Sequence, residues 1–253
     1  MNLLSLHHLT KSFGGLVAVH GVSFTVKEGC IMGLIGPNGA GKTTVFNLIT
    51  GNYRPDAGDI VFAGHNLTKM PTHEIVRVGV ARTFQTIRLF QDMSVLENVL
   101  AGCHCRSRGG LVSAMLRTPG HFREEKISLR RALEELEFVG LADEQDNLAR
   151  NLSYGNQRLL EIARALASEP RLLILDEPAG GMNDQETASL MRLIRTIRDR
   201  GVTVLLIEHD MRLVMKICEK LVVLEYGALI AEGTPAEIKN DPKVIEAYLG
   251  IED

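Results

Sequence analysis

The sequence predicts an α/β fold. A core sheet carries a phosphate-binding loop, a small antiparallel β part lies beside it, and an α-helical insertion interrupts it. Three observations predict this. The glycine-rich stretch Gly36-Pro37-Asn38-Gly39-Ala40-Gly41-Lys42-Thr43-Thr44 follows directly on the apolar run Ile31 to Ile35 and precedes the helical pattern Val45 to Ile49. A second unbroken apolar run, Leu172 to Leu175, ends at once in Asp176-Glu177. Between them, residues 91–167 carry helix signals and no strand signal.

Along the chain, residues 1–30 alternate in strand fashion with turns at Gly14-Gly15 and Glu28-Gly29. Asp56-Ala57-Gly58-Asp59 opens another short strand, Ile60-Val61-Phe62, closed by the Gly64 turn. Ser94 followed three residues later by Glu97 reads as a capping box for a helix over 94–100. Residues 104–121 are rich in Gly and Arg, poorly periodic, and read as mostly loop. Arg123 to Phe138 reads as a charged helix with Leu129, Leu133 and Leu136 on one side, ended by Gly140. Ser153 to Ala167 is a further helix.

From residue 170 the pattern is α/β. Leu172 to Leu175 and Val202 to Ile207 read as fully buried strands, because neither alternates. Gln185 to Arg200 is a helix by the spacing of Leu190, Leu193, Ile194 and Ile197, with Gly201 as its stop. Leu213 to Ile217 is a short helix. Leu221 to Leu224 and Leu229 to Ala231 flank Glu225-Tyr226-Gly227-Ala228 as a hairpin, and Pro235 to Gly250 is a helical tail broken at Pro242. The organisation is one domain over 1–253. Its core is 1–90 plus 168–253, its helical subdomain 91–167, and its tail 234–253.

The chemistry sits on a few of these positions. Glycines at 36, 39 and 41 let the backbone curl so that successive N–H groups point at a phosphate chain. Lys42 reaches the outer phosphates, the Thr43 hydroxyl can ligate magnesium, and the dipole of the following helix favours an anion. Phosphoryl transfer also needs an acidic element at the end of a buried strand. Asp176 fills that place for the magnesium shell, and Glu177 beside it orients or deprotonates the attacking water. His209, just past the next buried strand, belongs at the same sheet edge, where open α/β sheets bind ligands, and reads as a γ-phosphate sensor. Gln85, at the entry to the helical block, can touch magnesium and water without adding a charge. Ser153 and the N–H of Gly155 open a helix more than a hundred residues from the phosphate loop and make a second anion site. With no strand beside it, that site serves the nucleotide of another subunit.

Composition narrows the alternatives. The chain of 253 residues is 45% hydrophobic and 23% charged, as ordinary globular domains are. A net charge of −3 and the absence of Trp give neither a basic field nor a stacking platform for nucleic acid. The four cysteines include only one close pair, Cys103 and Cys105, so no zinc site is expected despite His104 between them. Cys30 and Cys218 read as small buried hydrophobes in a reducing compartment. The N-terminus carries no signal-peptide pattern, and the longest apolar runs fall far short of the ~20 residues of a membrane helix.

Over essentially its full length the chain resembles the ATP-binding subunits of ABC transporters. The family signature Leu-Ser-Gly-Gly-Gln is met by Leu152, Ser153, Tyr154, Gly155 and Asn156, with Tyr and Asn as departures. Gln85 matches the Q-loop, Asp176 and Glu177 the Walker B pair, and His209 the switch histidine. Asn183 stands where the D-loop usually has Asp. Phe13 stands where an aromatic usually stacks on adenine. More narrowly, the chain is similar to the ATPases of the branched-chain amino acid uptake group. The segments Phe13 to Val19, Arg82 to Gln85 with Arg88-Leu89-Phe90, Pro178 to Asn183 and Ile207 to Met211 carry that likeness, as do 106–123 and the tail 232–250.

The resemblance implies a P-loop NTPase core of the RecA-like type that binds ATP with Mg2+. Two ATPs would lie between two such subunits, alike or different. Each subunit would couple hydrolysis to an integral membrane permease, and indirectly to a substrate-binding protein, from the cytoplasmic face of the membrane. Relatives serving urea, amides or aromatic acids look alike. A soluble ABC ATPase acting on DNA or ribosomes is disfavoured, because no long coiled coil and no second ATP site occur in the sequence.

Overall fold

A computed structural model describes residues 1–106, 119–208 and 210–249. Two sheets share one core. The smaller is antiparallel, in the order β2-β1-β4-β5. It is built from β1 (Asn2–Phe13), β2 (Leu16–Lys27), β4 (Ala57–Phe62) and β5 (His65–Asn66). Leu4, Leu6 and Leu9 of β1 and Val22, Phe24 and Val26 of β2 turn inward, leaving the other face to solvent. The larger sheet runs β10-β9-β3-β8-β7-β6. Its strands are β3 (Ile31–Ile35), β6 (Val80–Arg82), β7 (Leu172–Asp176), β8 (Thr203–Ile207), β9 (Lys220–Glu225) and β10 (Ala228–Gly233). All pair in parallel except β9 with β10, which form the expected hairpin. Every residue of β3, β7 and β8 is buried, which is why their sequences are unbroken apolar runs.

Helix α1 (Lys42–Ile49) lies between the two sheets and fills their shared core with Val45, Phe46, Leu48 and Ile49. The far face of the large sheet is covered by α6 (Asp184–Asp199), α7 (Met211–Ile217), α8 (Pro235–Lys239) and α9 (Pro242–Leu249). A third apolar cluster belongs to α3 (Val95–Cys103), α4 (Pro119–Val139) and α5 (Tyr154–Leu166). The Ser94 capping box forms as its spacing predicts: Glu97 N–H donates to Ser94 Oγ at 3.1 Å, and Ser94 N–H donates to the Glu97 carboxylate at 2.7 Å. Arg200 ties this block to α6 by two 2.8 Å bonds to Glu135, with its guanidinium 4.1 Å from the Phe138 ring centroid.

Three expectations need correction. In α4 only Leu136 of the three leucines is buried, and Leu129 and Leu133 are exposed. The buried face runs through Ala132, Leu136 and Val139, which join the apolar cluster, with Glu135 beside them held by Arg200. Cys30 is only half-buried at the edge of the core, unlike Cys218. Helix α2 (Thr72–Val78) and strand β6 are elements that the sequence patterns do not announce. Of the stretch read as loop, 104–106 is a single 3₁₀ turn, α4 begins at Pro119, and 107–118 lie outside the described residues.

Candidate active site

The parallel strands bring their carboxyl ends to one edge. Gly36 leaves β3 with φ +144°, and a Cβ there would stand 2.0 Å from the Leu224 carbonyl oxygen, so only glycine passes this point. The loop then curls through Gly39 and Gly41, both with positive φ, into α1. Lys42 Nζ folds back onto the loop and donates to the carbonyls of Gly36 at 2.6 Å and Pro37 at 2.8 Å. Burial pulls the Lys42 pKa below the usual lysine value, opposed by the nearby carboxylates of Glu177 and Asp176.

A cavity of ≈ 590 Å³ opens over this loop. Asn38, Gly39, Ala40, Gly41, Lys42, Thr43 and Thr44 form its floor, Gln85 and Glu177 stand at one side, and Phe13, Leu16, Val17, Ala18 and Tyr226 form the other. Most of the residues expected to bind nucleotide thus face one space, from four separate segments. Phe13 is exposed rather than part of the strand core, and it meets the Tyr53 ring edge-on at a centroid distance of 5.0 Å. Ser153 and Gly155 do not line this cavity.

At the end of β7 the two acids are treated differently. Asp176 is buried, and its Oδ2 accepts from Arg82 Nη2 at 2.7 Å. Arg82 is fixed in turn by Asn47 of α1 at 2.7 Å and lies over the Phe46 and Phe84 rings. Glu177 sits in the left-handed region, φ +48°, with its N–H donating to Ile207 O at 2.9 Å. A left-handed glutamate next to a phosphate loop is the kind of local strain that active sites hold. Gln85 Nε2 donates to Glu177 Oε2 at 2.8 Å, leaving the Gln85 amide oxygen for another partner.

The donors present suit magnesium. The Thr43 hydroxyl, the Gln85 amide oxygen and the Asp176 carboxylate are all hard oxygens, the class that Mg2+ prefers. Mg2+ is usually held by one or two carboxylates together with substrate phosphates, so the ion would be shared with phosphate oxygens rather than caged by protein. Bound there, it would neutralise charge on the outer phosphates.

Contacts that sequence reasoning missed join these parts. Arg158 and Glu161, one helical turn apart on α5, form a fully buried ion pair of 3.0 Å. Arg158 Nη1 donates to Phe84 O at 2.6 Å, and its Nη2 to Gln85 O at 2.8 Å and Tyr154 Oη at 3.2 Å. Glu161 accepts from the N–H groups of Phe84 and Arg88, both at 3.4 Å. Tyr154 packs on Gly181, where a Cβ would lie 3.0 Å from its ring. Glu208, buried at the end of β8, accepts from Ala179 N–H at 2.8 Å. Glu177, Gln85, the helix that opens at Ser153 and the loop after Glu177 are therefore one connected set. An i, i+3 Arg–Glu pair looks in sequence like a solvated helix pair, so nothing marked Arg158 in advance.

Ser153 caps α5 by accepting from Asn156 N–H at 3.3 Å. At Gly155 a Cβ would stand 3.0 Å from the Glu186 carboxylate. Asn183 caps α6, accepting from Gln185 and Glu186 N–H groups at 2.9 Å, so its amide already has local work. His209 lies outside the described residues. Burial pushes the Cys103 thiol up to about 11 and the Cys218 thiol up to about 12, away from the thiolate form.

Removing the Lys42 ammonium should weaken nucleotide binding while the fold survives, since the Gly36 and Pro37 carbonyls can be hydrated. A charge-assisted phosphate contact is worth about 1.5–3 kcal/mol, so Lys42→Ala should raise the Kd for ATP roughly 10- to 100-fold in a calorimetric titration. An unchanged Kd would remove Lys42 from the phosphate site.

Residues 19–180 match the family model described as ABC transporter. Residues 228–253 match the one described as branched-chain amino acid ATP-binding cassette transporter. The chain is 49% identical over 249 residues to the high-affinity branched-chain amino acid transport ATP-binding protein LivG of Salmonella typhimurium, covering 98% of each chain. Among solved structures it is similar to the ADP conformation of MJ1267, an ATP-binding cassette of an ABC transporter, with TM-score 0.86, 34% identity and 99% coverage of each chain. It is also similar to the dimeric structure of MJ0796, a bacterial ABC transporter cassette, with TM-score 0.78 and 25% identity, covering 92% of this chain and 99% of that one.

Proposed function

The chain belongs to the ABC transporter family as an ATP-hydrolysing subunit, and from that premise we propose that it powers an importer of branched-chain amino acids. The observation that carries the hydrolytic part is the Gln85–Glu177 contact of 2.8 Å facing Lys42 across one cavity. A water placed there would meet a carboxylate base whose second contact is an uncharged amide. The substrate class rests on the relatives named above and on the matching tail 228–253.

The site is half of a composite one. Phe13, the 36–44 loop and Glu177 face the cavity, whereas Ser153 and Gly155 present their helix N-terminus elsewhere on the same chain. In a head-to-tail pair the Ser153 end of one subunit would meet the phosphates held by the other, so two ATPs close the pair and hydrolysis at Glu177 opens it. The partner is a second copy or a related ATPase. Asp176, Gln85 and Thr43 would hold Mg2+, and the γ-phosphate role of His209 rests on its place in the sequence just past β8.

No helix among the described residues is long and apolar enough to cross a membrane. Attachment would therefore run through a permease, on the cytoplasmic face. The groove of ≈ 340 Å³ lined by Val76, Phe90, Ala101, Cys105 and Arg164 lies between α2, the helical block and the Gln85 segment. Phe90 is exposed there, under the Arg164 guanidinium at 5.8 Å. A permease element seated in this groove would push on the segment that carries Gln85.

The test is uptake. Reconstituted with its permease pair and binding protein in vesicles, the chain should drive ATP-dependent accumulation of labelled leucine, isoleucine and valine. Accumulation of urea, short amides or phenylalanine in their place would overturn the substrate class. Failure of the chain to co-purify with any membrane protein would overturn the transporter role.

A further inference from the structure

Tyr226 and Gly227 form the two-residue turn between β9 and β10, and both have positive φ, 47° and 80°. A two-residue hairpin turn of this kind favours Asn-Gly or Asp-Gly, and a bulky side chain at its first position is out of place on local grounds. The turn is nevertheless held firmly. His20 N–H donates to Gly227 O at 2.8 Å, and Gly227 N–H donates to Ala40 O at 3.1 Å. A Cβ at Gly227 would stand 2.7 Å from the Ala18 carbonyl oxygen. One turn is thus fastened both to β2 and to the phosphate loop itself, and Tyr226 rides on it.

Tyr226 is 87% exposed, and it lines the same cavity as Lys42 and Phe13. Leu16 and Val17, also exposed, line that side with it. The cavity therefore has two chemically distinct ends. One is a ring of loop backbone and a lysine; the other is four exposed apolar or aromatic side chains. Exposed apolar surface gathered at one place marks a binding face. Next to a phosphate site, a flat apolar ligand group is a nucleobase, and aromatic side chains stack on bases of any kind.

We infer that Tyr226 is a second base-contacting residue of the nucleotide site, set against the purine by the β9–β10 turn as Phe13 is by the β1–β2 turn. This rests on a nucleotide occupying the Lys42 loop, as proposed above. The turn's hydrogen bonds to His20 and Ala40 fix the distance between this aromatic and the phosphates, so base and phosphate are read by one rigid frame. The local strain at residue 226 is then the cost of aiming a ring into the cavity.

Calorimetric titration with ADP and with inorganic pyrophosphate, which lacks the base, tests it. Tyr226→Asn relieves the turn, so the variant folds. Its Kd for ADP should rise about ten-fold, equivalent to about 1.4 kcal/mol, within the range of base–aromatic stacking. Its Kd for pyrophosphate should stay within two-fold of the parent value, and Tyr226→Phe should keep ADP binding. An unchanged Kd for ADP overturns the inference, and so does an equal loss for ADP and pyrophosphate, which would assign the turn to loop placement alone. Lys42→Ala should weaken both ligands, roughly 10- to 100-fold. Parental ADP binding in Lys42→Ala would instead overturn the phosphate-loop reading, whatever Tyr226 does.

Discussion

With Gln in place of Glu177, the chain binds ATP and fails to turn it over. The loss should be about 100-fold or more, the usual share of a positioned general base. The substitution is close to isosteric, and the surroundings say why it isolates the base. The residue 177 backbone is held at φ +48° by its N–H bond to Ile207 O, which an amide side chain does not disturb. The Gln85 Nε2 contact to the side-chain oxygen at position 177 can also persist, because a glutamine oxygen accepts as a carboxylate oxygen does. What disappears is the ability to take a proton from water. Binding energy that would close a subunit pair is then never released, so the variant should accumulate as an ATP-loaded dimer on gel filtration. Phosphate release by rapid quench gives the rate. A variant that retains more than about a tenth of the parent rate would move the general base away from Glu177.

Much of this arrangement is legible in the sequence because single physical constraints write it there. The curl at 36–41 demands glycines: Gly36 passes 2.0 Å, in Cβ terms, from a backbone oxygen, so no other residue could stand there. A strand buried on both faces must be apolar throughout, which makes Leu172 to Leu175 and the acids after it readable at sight. Caps are similarly local, and Ser94 does what its spacing to Glu97 predicts. The illegible parts are those set by contacts across long sequence separations. Arg82 sits on a strand of three residues, too short to show a period, and meets Asp176 94 residues away. Glu135, a charged residue buried on α4, meets its partner Arg200 65 residues away. Tyr226 reads as an ordinary hairpin residue until Ala18 and Ala40 are found beside its turn.

Breaking the buried pair on α5 should be the most damaging single change outside the phosphate loop. Arg158 and Glu161 side chains are each 1% exposed. Removing one charge from such a pair strands the other, at about 3–5 kcal/mol, so Arg158→Met should lower the melting temperature by roughly 6–20 °C. The loss should depend on pH with a defined sign. Burial raises the Glu161 pKa even with Arg158 beside it, and without Arg158 it rises further. A carboxyl whose folded pKa exceeds its unfolded one leaves stability intact below the unfolded value. Stability then falls as pH climbs through the window up to the folded value. The variant should therefore approach the parent in stability near pH 4 and diverge from it toward neutrality, in thermal melts across that range. A second substitution separates stability from position. Arg158→Met with Glu161→Leu removes both charges, and replacing a buried pair by apolar groups is often neutral or better, so most of the melting temperature should return. Hydrolysis should not return with it, because the Phe84 and Gln85 carbonyls have still lost the guanidinium that held them at 2.6 and 2.8 Å. Gln85 then swings free of Glu177, and kcat falls while the P-loop contacts that set ATP affinity stay. A doubly substituted chain that melts like the parent and also hydrolyses ATP at the parental rate would show that α5 leaves the placement of Gln85 to other contacts.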